Sequence, residues 1–247
     1  MRRPAVLSLV IPTYNEHRAL QSLLPRLQSV RRKLSAPMEV IVVDDNSPDG
    51  TADFAQSFET DRPDSLRVVR RAGKYGQASA VIEGWRSARG SILGVMDADG
   101  AHDEGVLPEM LEAVLEGPAE VVAGSRFVRE GGLGDETFFR KALSVAAALL
   151  AQPICPARDA TSGFLLFRRE VLEGVSLDPT GRIGLEVLVR GRYRTFTEVP
   201  YVHKARSSGG GKVEVEEALA YFYQLVSLIS YRYRHPHQRR RWMRVVS

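Results

Sequence analysis

A single cysteine, Cys155, in a chain of 247 residues excludes an intrachain disulfide and makes a reducing compartment the expected home. Long apolar runs are missing as well. Residues 142–150 are too short for a membrane span, and residues 219–231 are broken by Gln224 and several tyrosines, where a helical span needs about 20 apolar residues. Neither a Gly-x-x-x-x-Gly-Lys loop nor a Gly-x-Gly-x-x-Gly turn occurs, so an ATPase or a dinucleotide enzyme lacks its phosphate-cradling motif. There is no internal repeat. Met1-Arg2-Arg3-Pro4 runs straight into a strand-like segment without a cleavage-type stretch, so a signal peptide is not expected. Charge of one sign is also scarce: 34 Lys and Arg against 30 Asp and Glu leave a net +4, too little to argue for nucleic acid. Only residues 232–244 are one-sided, with many cations and no acid, which reads either as a tail for anionic surfaces or as a solvated end.

What is present is an α/β pattern with enough apolar content, 44%, to bury a full core. Apolar runs at 5–11, 38–43, 66–69, 92–96, 119–123, 161–167 and 194–199 read as strands. Between them lie helical patterns, the first with Leu20, Leu23, Leu24 and Leu27 on one face; others are expected from Thr51, over 78–88, 104–116, 138–152 and 183–190, and over 213–234. Strand, helix and strand at this spacing predict right-handed crossovers and a mostly parallel central sheet flanked by helices. The expected organisation is one domain over residues 1–212, followed by an amphipathic helix and a basic tail over 213–247.

Polar clusters fall where these strands stop: Pro12 to Glu16, Asp44-Asp45, Asp97-Ala98-Asp99 and Gly124-Ser125-Arg126. Open α/β sheets bind ligands at the carboxyl ends of their strands, and acids there can hydrogen-bond a ribose. Asp97 and Asp99, one residue apart in extended backbone, would face one point, and paired hard carboxylates suit Mg²⁺ or Mn²⁺. Taken alone, Asp-Ala-Asp-Gly would also pass for a turn. Four polar clusters on one edge argue for a site. His203, His235 and His237 read as surface residues. Phe138, Leu143, Leu149 and Leu150 fit either the core or a bilayer-facing surface.

At this point the sequence resembles the GT-A-fold, Rossmann-like glycosyltransferases of family 2, and within them the dolichyl- or polyprenyl-phosphate mannose synthases. The resemblance runs in the family's order through Val10-Ile-Pro-Thr-Tyr-Asn-Glu16, Ile41 to Thr51, Met96-Asp-Ala-Asp99 with His102, Gly124-Ser-Arg126, Arg140 with Ser144, Asp159 with Ser162-Gly-Phe164, and Arg206-x-x-Gly209-x-x-Lys212. It implies that Pro12, Tyr14, Glu16, Val43 and Asp45 hold the nucleoside of a nucleotide sugar. Asp97, Ala98 and Asp99 would hold its diphosphate and the metal, with Arg206 and Lys212 on a loop over that diphosphate. Arg182 stands where similar enzymes often have lysine. Arg126, Arg140 and Ser144 match positions for a lipid-phosphate acceptor.

A phosphate monoester has a second pKa of about 6 and is already a nucleophile near neutrality, so it needs orientation and charge neutralisation from arginines more than it needs a base. The expected activity is inverting transfer of a hexose, with mannose from GDP-mannose favoured, onto a polyprenyl phosphate by a protein peripheral at the cytoplasmic membrane face. UDP-glucose, or a hydroxyl acceptor with Glu186 as base, is the enzymatic alternative; a degenerate nucleotide-sugar-binding or membrane-interaction protein is the other. Three departures stand out. Gly100-Ala101 replaces the family's Leu-Gln, so the usual glutamine beside the metal is missing. Gly209-Gly-Gly-Lys212 replaces Gly-x-Ser-Lys, and Gly76-Gln77-Ala78 replaces Gly-Leu-Gly. The first leaves water, His102 or Asp103 to fill the metal's shell.

Overall fold

The computed structural model describes residues 6–62, 65–134, 137–204, 215–235 and 243–244. Strands β1 (Leu7–Thr13), β2 (Met38–Asp44), β3 (Leu66–Arg70), β4 (Ile92–Val95), β5 (Val121–Ser125), β6 (Leu165–Arg168), β7 (Thr195–Pro200) and the two-residue β8 (Met243–Arg244) form one sheet in the order β3-β2-β1-β4-β6-β5-β7-β8. All neighbours pair parallel except β6, which is antiparallel to both β4 and β5. Because β4 and β5 both oppose β6, they point the same way. The carboxyl ends of β1, β2, β4 and β5 therefore share one edge.

Helices cover both faces. On one side α1 (His17–Arg31), α2 (Thr51–Ser57) and α4 (Leu107–Leu115) pack on Leu7, Leu9, Ile11, Val40 and Val42. On the other, α3 (Gln77–Ser87), α6 (Ile183–Arg190) and α7 (Val215–Arg234) pack on Val10, Ile41, Val43, Val95 and Phe167. Alternate residues of β1 thus feed opposite layers, and every residue of β1 and β2 is buried, as expected of strands covered on both faces. β3, at the sheet's edge, is only partly buried and carries Arg67 and Arg70. The remaining helix, α5 (Phe138–Ala151), buries only Ala148 and Ala151 of its own residues.

Several expected boundaries move for physical reasons. The helix expected over 104–116 opens as a 3-10 turn at Glu104–Val106, because the Asp103 carboxylate caps Gly105 N–H and Pro108 suits the first turn of α4. The strand expected from 161 begins only at Leu165, since Ser162 N–H turns back to Asp159 O. The helix expected to follow residue 212 is part of the core, burying Tyr221, Leu225 and Leu228. β8, within the expected tail, pairs with β7.

Candidate active site

The strand expected over 92–96 stops at Val95, so Asp97 and Asp99 lie beyond β4, with Ala98 and Asp99 in a turn. Gly100 at φ 79° makes that turn, and Asp99 Oδ1 accepts Ala101 N–H at 3.0 Å. Both carboxylates line a cavity of about 810 Å³ at the carboxyl edge of the sheet. Pro12, Tyr14 and Glu16 reach it from the end of β1, Asp45 from β2, Ala98 from the same turn, and Arg182 from the start of α6.

Most of this wall is cross-linked. Asn15 N–H donates to Ser47 Oγ at 2.9 Å and Glu16 N–H to Thr51 Oγ1 at 3.0 Å, tying the loops after β1 and β2 together. Asp45 holds the loop before α3: its Oδ2 accepts Tyr75 N–H at 3.0 Å and Gly76 N–H at 2.7 Å, while Oδ1 pairs with Arg71 Nη1 at 2.5 Å. That loop brings Lys74 to 3.9 Å from the face of Tyr14. Val43, expected beside a nucleoside, is fully buried in the core beneath the sheet edge, so its side chain is not available to a ligand.

A second cavity of about 390 Å³ adjoins the first and shares Asp97, Arg182 and Tyr221 with it. Arg126 lines it from the end of β5, and Arg140 and Ser144, four residues apart on α5, face it together. The helix faces beside them are apolar, with Leu143, Ala147 and Leu150 from α5 and Phe222 and Leu225 from α7, while His102, Thr161, Ser162, Tyr201 and His203 give the lining a polar side. Arg126 grips Asp159 with two parallel bonds, Nε to Oδ2 at 2.7 Å and Nη2 to Oδ1 at 2.8 Å, and Nη2 also donates to Thr161 Oγ1 at 2.8 Å. Burial pushes the Asp159 pKa up, but the hydrogen bonds and charge of Arg126 outweigh it and hold the carboxyl below its ordinary value. Arg182 is held too: its N–H donates to Gln224 Oε1 at 2.9 Å, and its guanidinium lies 5.3 Å from the Tyr221 ring centre.

His102 lies buried under the Asp97 turn, stacked on Phe164, and burial pushes its pKa down to about 3 against the opposing pull of Asp99. Glu186, the expected alternative base, is also buried: it accepts Asp178 N–H and Gln224 Nε2, and pairs with Arg190. Arg206 and Lys212 lie outside the described residues, as do His237 and most of the basic tail.

No group of three or more His, Cys, Asp or Glu side chains forms a ready-made cation cage among the described residues. Asp97 and Asp99 nevertheless fit a hard divalent cation, which keeps several waters and takes phosphate oxygens from its substrate. Ala101 is buried and brings no ligand atom, and a main-chain N–H occupies His102 Nδ1. Sequence reasoning also passed over Lys74, Thr161, Tyr221 and Gln224. Lys74 was visible as part of a basic, glycine-punctuated loop; Tyr221 and Gln224 carry no local signal, since packing of α7 brings them to the site.

Residues 8–175 match the profile of glycosyl transferase family 2. The chain is 37% identical over 227 residues to a dolichol-phosphate mannosyltransferase of Pyrococcus furiosus, covering 89% of this chain and 63% of that protein. It is 36% identical over 215 residues to an undecaprenyl-phosphate mannosyltransferase of Micrococcus luteus, covering 83% of this chain and 86% of that one. The chain thus spans less than two thirds of the Pyrococcus protein. A mannosyltransferase from Pyrobaculum calidifontis, solved with GDP-mannose and Mn²⁺, superposes with a TM-score of 0.61 at 20% identity, covering 96% of this chain and 72% of that one, which shows a shared fold.

Proposed function

Because this chain belongs to glycosyl transferase family 2, we propose that it transfers a hexose, with mannose from GDP-mannose favoured, onto a polyprenyl phosphate with inversion, at the cytoplasmic face of a membrane. The observation that carries the reading is the meeting of two cavities at Asp97: one among strand ends that carry carboxylates, and one where Arg126 and Arg140 stand beside apolar residues of α5 and α7. The larger is the donor cavity. Tyr14, Glu16 and the Asp45-anchored loop surround the nucleoside there, while Asp97, Ala98 and Asp99 stand beside the diphosphate.

Asp97 and Asp99 would hold Mg²⁺ or Mn²⁺, which when bound would neutralise the leaving diphosphate. Arg182, lining both cavities, adds a fixed cation to that charge, and Arg206 and Lys212 belong to the same role by resemblance. The smaller is the acceptor cavity. Arg140 and Ser144 orient the lipid phosphate, and Arg126 contributes positive charge while Asp159 and Thr161 hold its plane. An ionised phosphate needs no strong base, which accords with a buried Glu186 already committed to Asp178, Gln224 and Arg190. This favours a phosphate acceptor over a hydroxyl acceptor.

No helix among the described residues is long and apolar enough to cross a membrane. α5 and α7 instead carry exposed apolar side chains beside the acceptor cavity: Phe138 is 88% exposed, Phe139 71% and Leu150 61%, with Phe222 and Val226 on α7. Such a patch supports peripheral docking, with the acceptor's tail entering along it. The deciding experiment is turnover of GDP-mannose, UDP-glucose and other nucleotide sugars with and without a short polyprenyl phosphate. Transfer from GDP-mannose that requires the lipid phosphate is the expected result; transfer only to a hydroxyl acceptor would overturn it.

A further inference from the structure

Asp97 is approached from three parts of the chain at once. Gln77, the first residue of α3, donates from Nε2 to Asp97 Oδ1 at 2.5 Å. His102 places Nε2 3.8 Å from Oδ2. On a third side is Gly163, where an added Cβ would stand 3.3 Å from Oδ2, so any larger residue would press on the carboxylate. Elsewhere on this edge, the Asp45 carboxylate is turned to the loop before α3 and Asp44 to Thr13 and Ser47. The contacts on Asp97 instead leave it at the junction of both cavities.

The tautomer of His102 follows from main-chain chemistry. Asp97 N–H donates to His102 Nδ1 at 3.1 Å, and a main-chain N–H can only donate. Nδ1 is therefore the bare nitrogen, and the proton of the neutral ring sits on Nε2, the nitrogen that faces Oδ2. The ring has no room to swing out: it is 4% exposed, 5.2 Å from the stacked Phe164 ring and 5.7 Å from Tyr201 edge-on. His102 thus accepts the main-chain N–H of Asp97 and faces its carboxylate across 3.8 Å, and has no lone pair left to give a cation.

We propose that Gln77 and His102 are positioning residues for Asp97, holding it from α3 and from beneath its turn so that its carboxylate stays at the meeting point of the two cavities. This rests on the reading of Asp97 as a cation-holding residue. A carboxylate held in one orientation has less freedom to lose when a cation arrives, and partners of this kind typically change metal affinity by about 10–100-fold.

The test is Mn²⁺ affinity of the full chain in the presence of GDP, read from the electron paramagnetic resonance signal of the free ion. Gln77→Ala and His102→Phe are each expected to weaken Mn²⁺ about tenfold. Phe keeps the ring packing but cannot accept Asp97 N–H. His102→Asn, whose side-chain carbonyl can accept it, should recover most of the affinity, a rescue that a ring needed only for packing would not give. Gln77 is exposed, so its variant is expected to fold whatever becomes of His102→Phe; an affinity within twofold of wild type for Gln77→Ala overturns the proposal. Asp97→Asn separates the two ideas. If it loses Mn²⁺ while Gln77→Ala does not, positioning fails and the cation reading stands; if it binds as well as wild type, both fail.

Discussion

The two cavities proposed for donor and acceptor share Asp97 but are built by different means. The donor side is made of strand ends and loops that are already bonded to one another: Asp45 to the loop before α3, Asn15 to Ser47, Glu16 to Thr51. On the acceptor side two helix faces, α5 and α7, bring small and apolar residues, some left to solvent, against a polar wall that includes Arg126, Thr161, Ser162, Tyr201 and His203. A cross-linked wall suits a polar nucleotide whose hydrogen-bonding groups have fixed positions. An apolar helix face suits an isoprenoid chain, which offers area and little direction. Arg126 does not follow this division, because it belongs to the acceptor side yet is tied as firmly as anything on the donor side.

That exception gives the largest expected effect. Arg126→Ala would leave the Asp159 carboxylate, 0% exposed, without its charged partner and held by the residue-126 main-chain N–H and Thr161 Oγ1, and removing one member of a buried pair costs about 3–5 kcal/mol. The wild-type contribution has a definite sign. The folded Asp159 pKa lies below its ordinary 3.8, so the stabilisation is present above that value and lost as pH falls through the folded pKa. The gap in melting temperature between wild type and Arg126→Ala is therefore expected to be widest at neutral pH and to narrow below about pH 4. A gap independent of pH would show that the pair is not its source.

Arg140→Ala should sharpen the comparison from the other side. Arg140 is partly exposed and lies on a helix that buries little, so the variant should melt near wild type while KM for the lipid phosphate rises about 10–100-fold, in keeping with a lost charge-assisted bond of roughly 1.5–3 kcal/mol. GDP affinity should be unchanged. Equal loss of GDP and lipid phosphate would erase the distinction between the cavities.

The smallest effect concerns the lip. Phe138→Glu with Leu149→Glu should reduce partition onto lipid vesicles several-fold, yet leave GDP binding and melting temperature unaltered, because both side chains are mostly solvent-exposed. Unchanged partition would remove α5 from the membrane-facing surface.

Much of this was legible in the residues. The apolar runs of β1 and β2, the leucine stripe of α1 and the bounds of α6 at Ile183–Arg190 all follow from periodicity, a local property. The reversal of β6 was not, because an apolar run reads alike in both directions and only pairing with β4 and β5 decides it. Val43 lies in the matched Ile41 to Thr51 segment, yet helices cover both faces of β2, so its side chain is in the core. Phe138 and Leu149 read equally well as core or surface, and only the packing left them outside.

The sequence by itself determined the repertoire of elements and the stopping points of the strands, where carboxylates and arginines collect, because both depend on neighbours a few positions away. Only the tertiary structure decided which of those charged groups are committed inward and which face a cavity. Asp45 spends its oxygens on residues about thirty positions later, Arg126 pairs with Asp159, and Asp97 is held by Gln77 and His102. Hydrogen bonds are satisfied by whatever lies within about 3 Å, and proximity across the chain exists only once the sheet has brought its strand ends to one edge.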